Sequence, residues 1–246
     1  MCWSGEASAV LAASGFASSV YLYRKKEAPP LCAALAYFSG MEALQAYTYS
    51  VINQCSNPDN QVATLLGYLH IAFQPFFINA VSMYFIPDAV RKKIQYYVYG
   101  LCFVAAWLII MRLYPFSWGI PCYQISYSFP TFPQGESSVP FCGKIICSTH
   151  GQWHIAWQIP AYYISLFAEN AYMIVAFFLP IVYGSWRITI YHLLTGPLLA
   201  WLTTNNANEY AAVWCLYSIG LLGLMIKTPI RKLLFVRKWF WWGLLT

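Results

Sequence analysis

Charge is what this sequence has least of. Only 9% of its 246 residues are Asp, Glu, Lys or Arg, against 60% hydrophobic and 19% aromatic, whereas a soluble domain carries about 25% charged residues. Fourteen Lys and Arg with eight Asp and Glu are too few to cover a compact fold in water. An ordinary water-soluble globule is therefore excluded, and so are disordered, collagenous and coiled-coil chains. Signature motifs are missing as well. There is no P-loop, no G-x-S-x-G and no G-x-G-x-x-G, so the common nucleotide-binding and serine-hydrolase readings fall away. Met1–Glu6 has no basic stretch ahead of its apolar run, so no cleavable signal peptide is expected.

What is present is a series of charge-poor apolar runs, each near the roughly 20 residues that cross about 30 Å of hydrocarbon. Seven are found, at Ala7–Tyr23, Pro30–Ile52, Val62–Ile86, Ile94–Tyr114, Ile155–Val182, Ile188–Thr204 and Tyr210–Ile226. They are continuously apolar rather than alternating, so they predict an all-α polytopic membrane protein of seven transmembrane helices and not a barrel. Basic residues collect in the first, third and fifth linkers (Arg24–Lys26, Arg91–Lys93, Arg187) and in the tail (Lys227, Arg231, Lys232, Arg237, Lys238). Arg112 and Lys144 alone fall on the other side, which predicts an outer N-terminus and a cytoplasmic C-terminus. The net charge of +6 then reports topology and calls for no nucleic-acid partner. Residues 1–230 read as one domain. Residues 231–246, basic and rich in tryptophan, read as a tail lying at the inner, anionic interface, with membrane lipids as its partners.

One connection is long, the segment Pro115–His154 between the fourth and fifth runs, expected outside. Its Cys122, Cys142 and Cys147 sit in an oxidising compartment, where two of them are expected to pair, with Cys55 and Cys2 as further partners on that face. Five cysteines leave the connectivity open. Without a C-x₂-C a zinc ribbon is disfavoured, and Cys32, Cys102 and Cys215 read as small buried apolar residues.

Ionisable groups within the runs point to function, because at bilayer depth they cost about 2.5–3.5 kcal/mol and face a bundle interior or a wet cavity. By helical rise, Glu42 lies about 15 Å down the second helix and His70 about 12 Å down the third, with Gln45 and Gln74 one turn from each. Asn79 follows deeper, past Pro75. Glu42, Gln45, His70, Gln74 and Asn79 thus form a candidate pocket opening to the outer face. It serves either as hydrogen-bonding glue between helices or as a site that moves protons, binds a polar ligand or coordinates a divalent metal such as zinc. His150 and His154, at i and i+4 if helical, are candidate third and fourth metal donors beside His70 and Glu42. Glu169 falls about 21 Å down the fifth run, counted from Ile155. Glu6 and Glu209 read as cap or loop residues. Mid-span lysine is lacking in the last run, which removes a retinal Schiff base.

Four stretches, Cys2-Trp-Ser-Gly-Glu-Ala-Ser8, Tyr68–Phe77, Gln152-Trp-His-Ile-Ala-Trp157 and Tyr183-Gly-Ser-Trp-Arg187, together resemble an uncharacterised family of mainly bacterial polytopic membrane proteins. The resemblance implies a multi-pass protein of the bacterial cytoplasmic membrane and no particular activity. Two functions stay open. One is a metal-assisted hydrolytic or redox activity on a lipid or small amphiphile. The other is a non-enzymatic ligand binder, transporter-like protein or accessory subunit, working with a membrane-protein partner or as a homo-oligomer.

Overall fold

The computed structural model describes residues 3–125 and 139–244, and Cys2 and the prolines 130 and 133 lie outside them. The chain is mainly helical. It opens with α1 (Gly5–Arg24), α2 (Pro29–Ser50), α3 (Pro58–Tyr84) and α4 (Asp88–Met111), each packed on the next. Their boundaries follow local chemistry. Ser4 caps α1 by accepting from the Ala7 N–H at 3.3 Å, Asn57 caps α3 with Pro58 in its first turn, and Pro29 starts α2, prolines being tolerated where the N–H would be orphaned anyway. α3 and α4 are long and apolar enough to cross a membrane.

The fifth and sixth apolar runs differ from expectation. Ile155–Val182 does not make one helix. Its first part is β3 (Ile155–Gln158), paired antiparallel with β2 (Cys147–His150), and a short β4 (Tyr162–Tyr163) pairs with β1 (Ile120–Pro121). Helix begins only at Leu166, where the Ser165 hydroxyl accepts from Ala168 N at 3.1 Å. It runs as α5 (Leu166–Met173), a π-turn (Ile174–Phe178) and α6 (Leu179–Val182). A strand and a buried helix have the same apolar composition, and Pro160 separates the two here. Glu169 therefore sits in the first turn of α5 rather than deep in a span, paired with Arg112 at 2.9 Å. The sixth run breaks at Gly196-Pro197 into α7 (Trp186–Thr195) and α8 (Pro197–Thr203). The seventh is α9 (Tyr210–Lys227), packed against α2 and α8.

The π-turn explains Asn79. Leu179 N bonds the Ile174 carbonyl, five residues back, so the next donor for Val175 would be Pro180, which has no N–H. Asn79 Nδ2 takes the stranded Val175 carbonyl at 2.8 Å and also the Pro75 carbonyl of its own helix at 2.9 Å, while its Oδ1 accepts from Tyr183 at 2.9 Å. One buried amide thus joins two proline-interrupted helices.

The tail is not a helix lying free. After α10 (Ile230–Leu234) it runs extended, with Val236 N bonded to the Phe85 carbonyl at 2.9 Å. The indoles of Trp239 and Trp241 cap the Val182 carbonyl at 3.1 and 2.8 Å, and Trp242 caps that of Tyr183 at 3.1 Å. Gly184, at φ +97°, lets this corner turn, since any Cβ there would meet Trp242 at 2.6 Å. Linkers one, three and five thus meet the tail at one end of the bundle, where Arg231 pairs with Glu27 and Arg187 holds the Leu233 and Phe235 carbonyls. The β-hairpin closes the opposite end.

Asn79→Leu strands the Val175 carbonyl and the Tyr183 hydroxyl, at about 1–3 kcal/mol each. The thermal unfolding midpoint is expected to fall by about 5–15 °C, and an unchanged midpoint contradicts the bridging role.

Candidate functional site

Two asparagines whose role was not expected, and two disulfides among the expected cysteines, hold the hairpin. Asn60, buried at the start of α3, reads the Ser148 backbone with both ends of its amide: Oδ1 accepts from Ser148 N at 2.9 Å and Nδ2 donates to its carbonyl at 3.0 Å. Asn208 treats Cys142 the same way, accepting at 2.8 Å and donating at 2.9 Å. Each amide stands in for a neighbouring strand. Disulfides Cys55–Cys147 and Cys122–Cys142 tie the same segment to the α2–α3 turn and to itself. All four candidate cysteines are therefore paired, and Cys32, Cys102 and Cys215 are free and buried, as expected.

Glu209, fully buried, is the centre of the clamp. Its carboxylate accepts from the successive backbone N–H groups of Gln152, Trp153 and His154 in the hairpin turn, and from the Thr204 hydroxyl. It is not a simple cap of α9. Three converging amides form a concave anion site, and Gly151 makes room, since a Cβ there would lie 2.7 Å from the carboxyl carbon.

Beneath the turn, α2 carries a stripe of polar side chains. Glu42, Gln45 and Tyr49, at i, i+3 and i+7, share one face. The Tyr49 hydroxyl lies 3.0 Å from His154 Nδ1 and within electrostatic range of both the Glu42 and Glu209 carboxyls. From the other side Trp3 closes the ring: its backbone N bonds the Trp153 carbonyl at 3.2 Å, its indole packs 5.9 Å from the His154 ring, and its Nε1 donates to Ser8 at 2.7 Å. Ser8 in turn faces Glu42, in range of its carboxyl but without a well-formed hydrogen bond.

In this neighbourhood both Glu42 oxygens, both polar atoms of the Gln45 amide and Nε2 of His154 are buried and have no protein partner. Glu42, Gln45 and His154 are each 0% exposed. Among the described residues no Lys or Arg pairs with Glu42. Burial alone holds the His154 imidazole down to about 3, so it is neutral at pH 7. If Nδ1–H donates to Tyr49, Nε2 is left as an acceptor without a partner.

The expected pocket is thus divided. Glu42 and Gln45 share a helix face with Tyr49, which contacts His154. His70 is not on that face: its ring stacks on Tyr37 at 3.8 Å in an open apolar groove between α2 and α3. Gln74 is spent on Cys215 Sγ and the Tyr172 hydroxyl, at 3.0 and 2.7 Å, and Asn79 on the π-turn. The i, i+4 helical pair fails because His150 ends β2 and faces Ile155 across the hairpin, with Asn53 holding its N–H. Among the described residues no group of three or more His, Cys, Asp or Glu side chains converges as metal ligands. Zinc takes three or four such donors, so the proposed His70–His150–His154–Glu42 set is not assembled. What remains is rich in oxygen: carboxylate, amide carbonyl and hydroxyls, with one imidazole.

Residues 6–235, which include Glu42, Gln45, Tyr49, His154 and Glu209, match a family of unknown function, DUF5765. The chain belongs to DUF5765. No curated protein and no solved structure matches it. In this DUF5765 chain the overlooked site residues left faint traces in the sequence. Tyr49 extends the Glu42–Gln45 stripe by one turn, and Glu209 closes the polar run Thr203–Glu209.

Glu209→Ala removes the acceptor for three amides, each bond to a charged group contributing about 1.5–3 kcal/mol. Amide exchange at residues 152–154 is expected to accelerate at least about 100-fold; an unchanged rate contradicts the clamp. Because the folded state holds His154 neutral, well below its ordinary value of about 6.5, docking is fully stable above that pH. It weakens by about 1.4 kcal/mol per unit as pH falls from about 6.5 towards 3. The unfolding midpoint measured against pH is expected to show this slope, reduced in His154→Gln.

Proposed function

We propose that this chain is a multi-pass membrane protein that binds a proton or a small hard cation at Glu42, under the hairpin, and works as a carrier or sensor rather than as a hydrolase. Membrane residence is supported by where the apolar residues lie. The outward face of α4 carries Tyr96, Tyr97, Phe103, Val104 and Trp107, each more than half exposed. Such a contiguous apolar face is costly in water and ordinary in lipid. The basic residues gathered at the tail end support seven spans with that end cytoplasmic.

The observation that carries the binding reading is the set of orphaned atoms. Buried polar groups without partners cost about 1–3 kcal/mol each, and here Glu42, Gln45 and His154 leave theirs unpartnered in one neighbourhood with no side-chain cation pairing Glu42 among the described residues. Their chemistry complements a positive charge. Carboxylate and amide oxygens suit a proton, an alkali ion or a calcium-like ion better than zinc. A lone carboxyl at bilayer depth is the arrangement proton- and ion-coupled membrane proteins use. The two disulfides beside the site favour an outer, oxidising face for it.

Two measurements test this. Carbonate washing of membranes is expected to leave the chain in the pellet; release to the supernatant contradicts membrane residence. Infrared difference spectra of reconstituted protein, taken from about pH 5 to about pH 9 and with added Na⁺, K⁺ or Ca²⁺, are expected to contain a carboxyl band that changes with proton or cation. Glu42→Gln removes it. No Glu42-dependent band under any condition overturns the site.

A further inference from the structure

At the tail end, far from the Glu42 site, the chain forms a cleft of about 740 Å³ between the α3–α4 corner and the extended tail. Three cations line it, Arg91, Lys232 and Arg237. A single acid, Asp88, faces them and is already paired with Arg91 at 2.9 Å. The net charge of the lining is therefore +2, as three cations less one acid. The rest of the lining is apolar or aromatic, with Tyr84, Phe235 and Val236 prominent.

The cleft has a fixed shape. The Val236 N–H to Phe85 carbonyl bond holds the tail wall at 2.9 Å. Phe235 packs on Tyr84 and Phe85 with ring centres 5.4 and 5.0 Å apart. Arg187 grips the Phe235 carbonyl at 3.1 Å. Arg231, next to the cleft, is neutralised by Glu27 and rests on Tyr84, so it positions the wall and leaves the free charge to the lining cations. The cleft also lies at the first turn of α4, whose 24 residues add a positive dipole end.

We propose that this cleft binds the headgroup of an anionic glycerophospholipid. Its phosphate lies among Arg91, Lys232 and Arg237, and its acyl chains leave along Phe235 and Val236. Charge complementarity selects an anion, and the apolar remainder of the lining selects an amphiphile over a fully hydrated one. Guanidinium groups suit phosphate because they present paired donors. The site rests on the membrane reading above and is independent of the Glu42 site. Its role follows from its place: a lipid here would staple the tail to the α3–α4 corner.

Detergent-purified, delipidated protein titrated with phosphatidylglycerol or phosphatidylcholine, and read by native mass spectrometry, tests it. At about fivefold per net cation near an anionic surface, the net +2 lining is expected to prefer phosphatidylglycerol by about 25-fold. The triple variant R91Q/K232Q/R237Q is expected to lose that preference with its unfolding midpoint unchanged. K92Q/K93Q/K238Q, which removes equal charge outside the cleft lining, is expected to keep it. Equal binding of the two lipids, equal loss in both triple variants, or displacement of the lipid by inorganic phosphate alone each overturns the proposal. Failure of the membrane reading is seen separately in the carbonate wash, and Glu42→Gln is expected to bind phosphatidylglycerol as the parent does.

Discussion

The arrangement of this molecule depends on one buried carboxylate. Glu209 gathers the amides of Gln152, Trp153 and His154 with the Thr204 hydroxyl, and so fixes the hairpin turn over the ends of α1, α2 and α9. Remove that anchor and His154 has no fixed place, Tyr49 loses its partner, and Trp3 loses the carbonyl that holds it over Ser8. A buried carboxylate is costly unless its oxygens are filled. Here they are filled mainly by the three hairpin amides, with the Thr204 hydroxyl completing the set, so desolvation and docking are largely one event. The two asparagines and two disulfides repeat the same logic with neutral groups, each fastening backbone that would otherwise lack a partner.

That clamp changes the meaning of Glu42. A carboxyl between packed helices is common polar glue when a neighbouring helix satisfies it. Gln74 and Asn79 are such glue: their bonds to Cys215, Tyr172, Tyr183 and the stranded Val175 carbonyl are complete. Glu42 and Gln45 lie on the same bundle and remain open. Gln74 and Asn79 on α3 are thus satisfied, whereas Glu42 and Gln45 on α2, His154 Nε2 in the hairpin and His70 Nε2 on α3 have no partner.

How much of this was legible follows from which interactions are local. Helices α1 to α4 and α9 are readable because a run of apolar residues bounded by Ser4, Pro29, Asn57-Pro58 or Pro87 carries its own start signals. The fifth run misled because strand and helix share a composition once both faces are buried, and only Pro160 and Ser165 mark the change. That in turn put Glu169 too deep and made a helix of His150–His154. Glu42 and Gln45 were found from sequence because charge inside an apolar run is conspicuous. Glu209, Asn60 and Asn208 were not, because a polar residue beside a helix end looks like a cap until the distant backbone it serves is in place. Disulfide pairing stayed open for the same reason, since the Cys55–Cys147 link spans 92 residues.

In this reading a proton or a small cation completes Glu42 beneath the Glu209-held hairpin. An experimental density map at a resolution that resolves single ions and waters tests it most directly. Compact density is expected within about 2.3–3.0 Å of a Glu42 oxygen, from an ion or from a water that accepts from the protonated carboxyl, also touching Gln45 or His154 and absent from the map of Glu42→Ala. No density beside Glu42, with its carboxyl turned away and bonded to backbone or to another side chain, would contradict it.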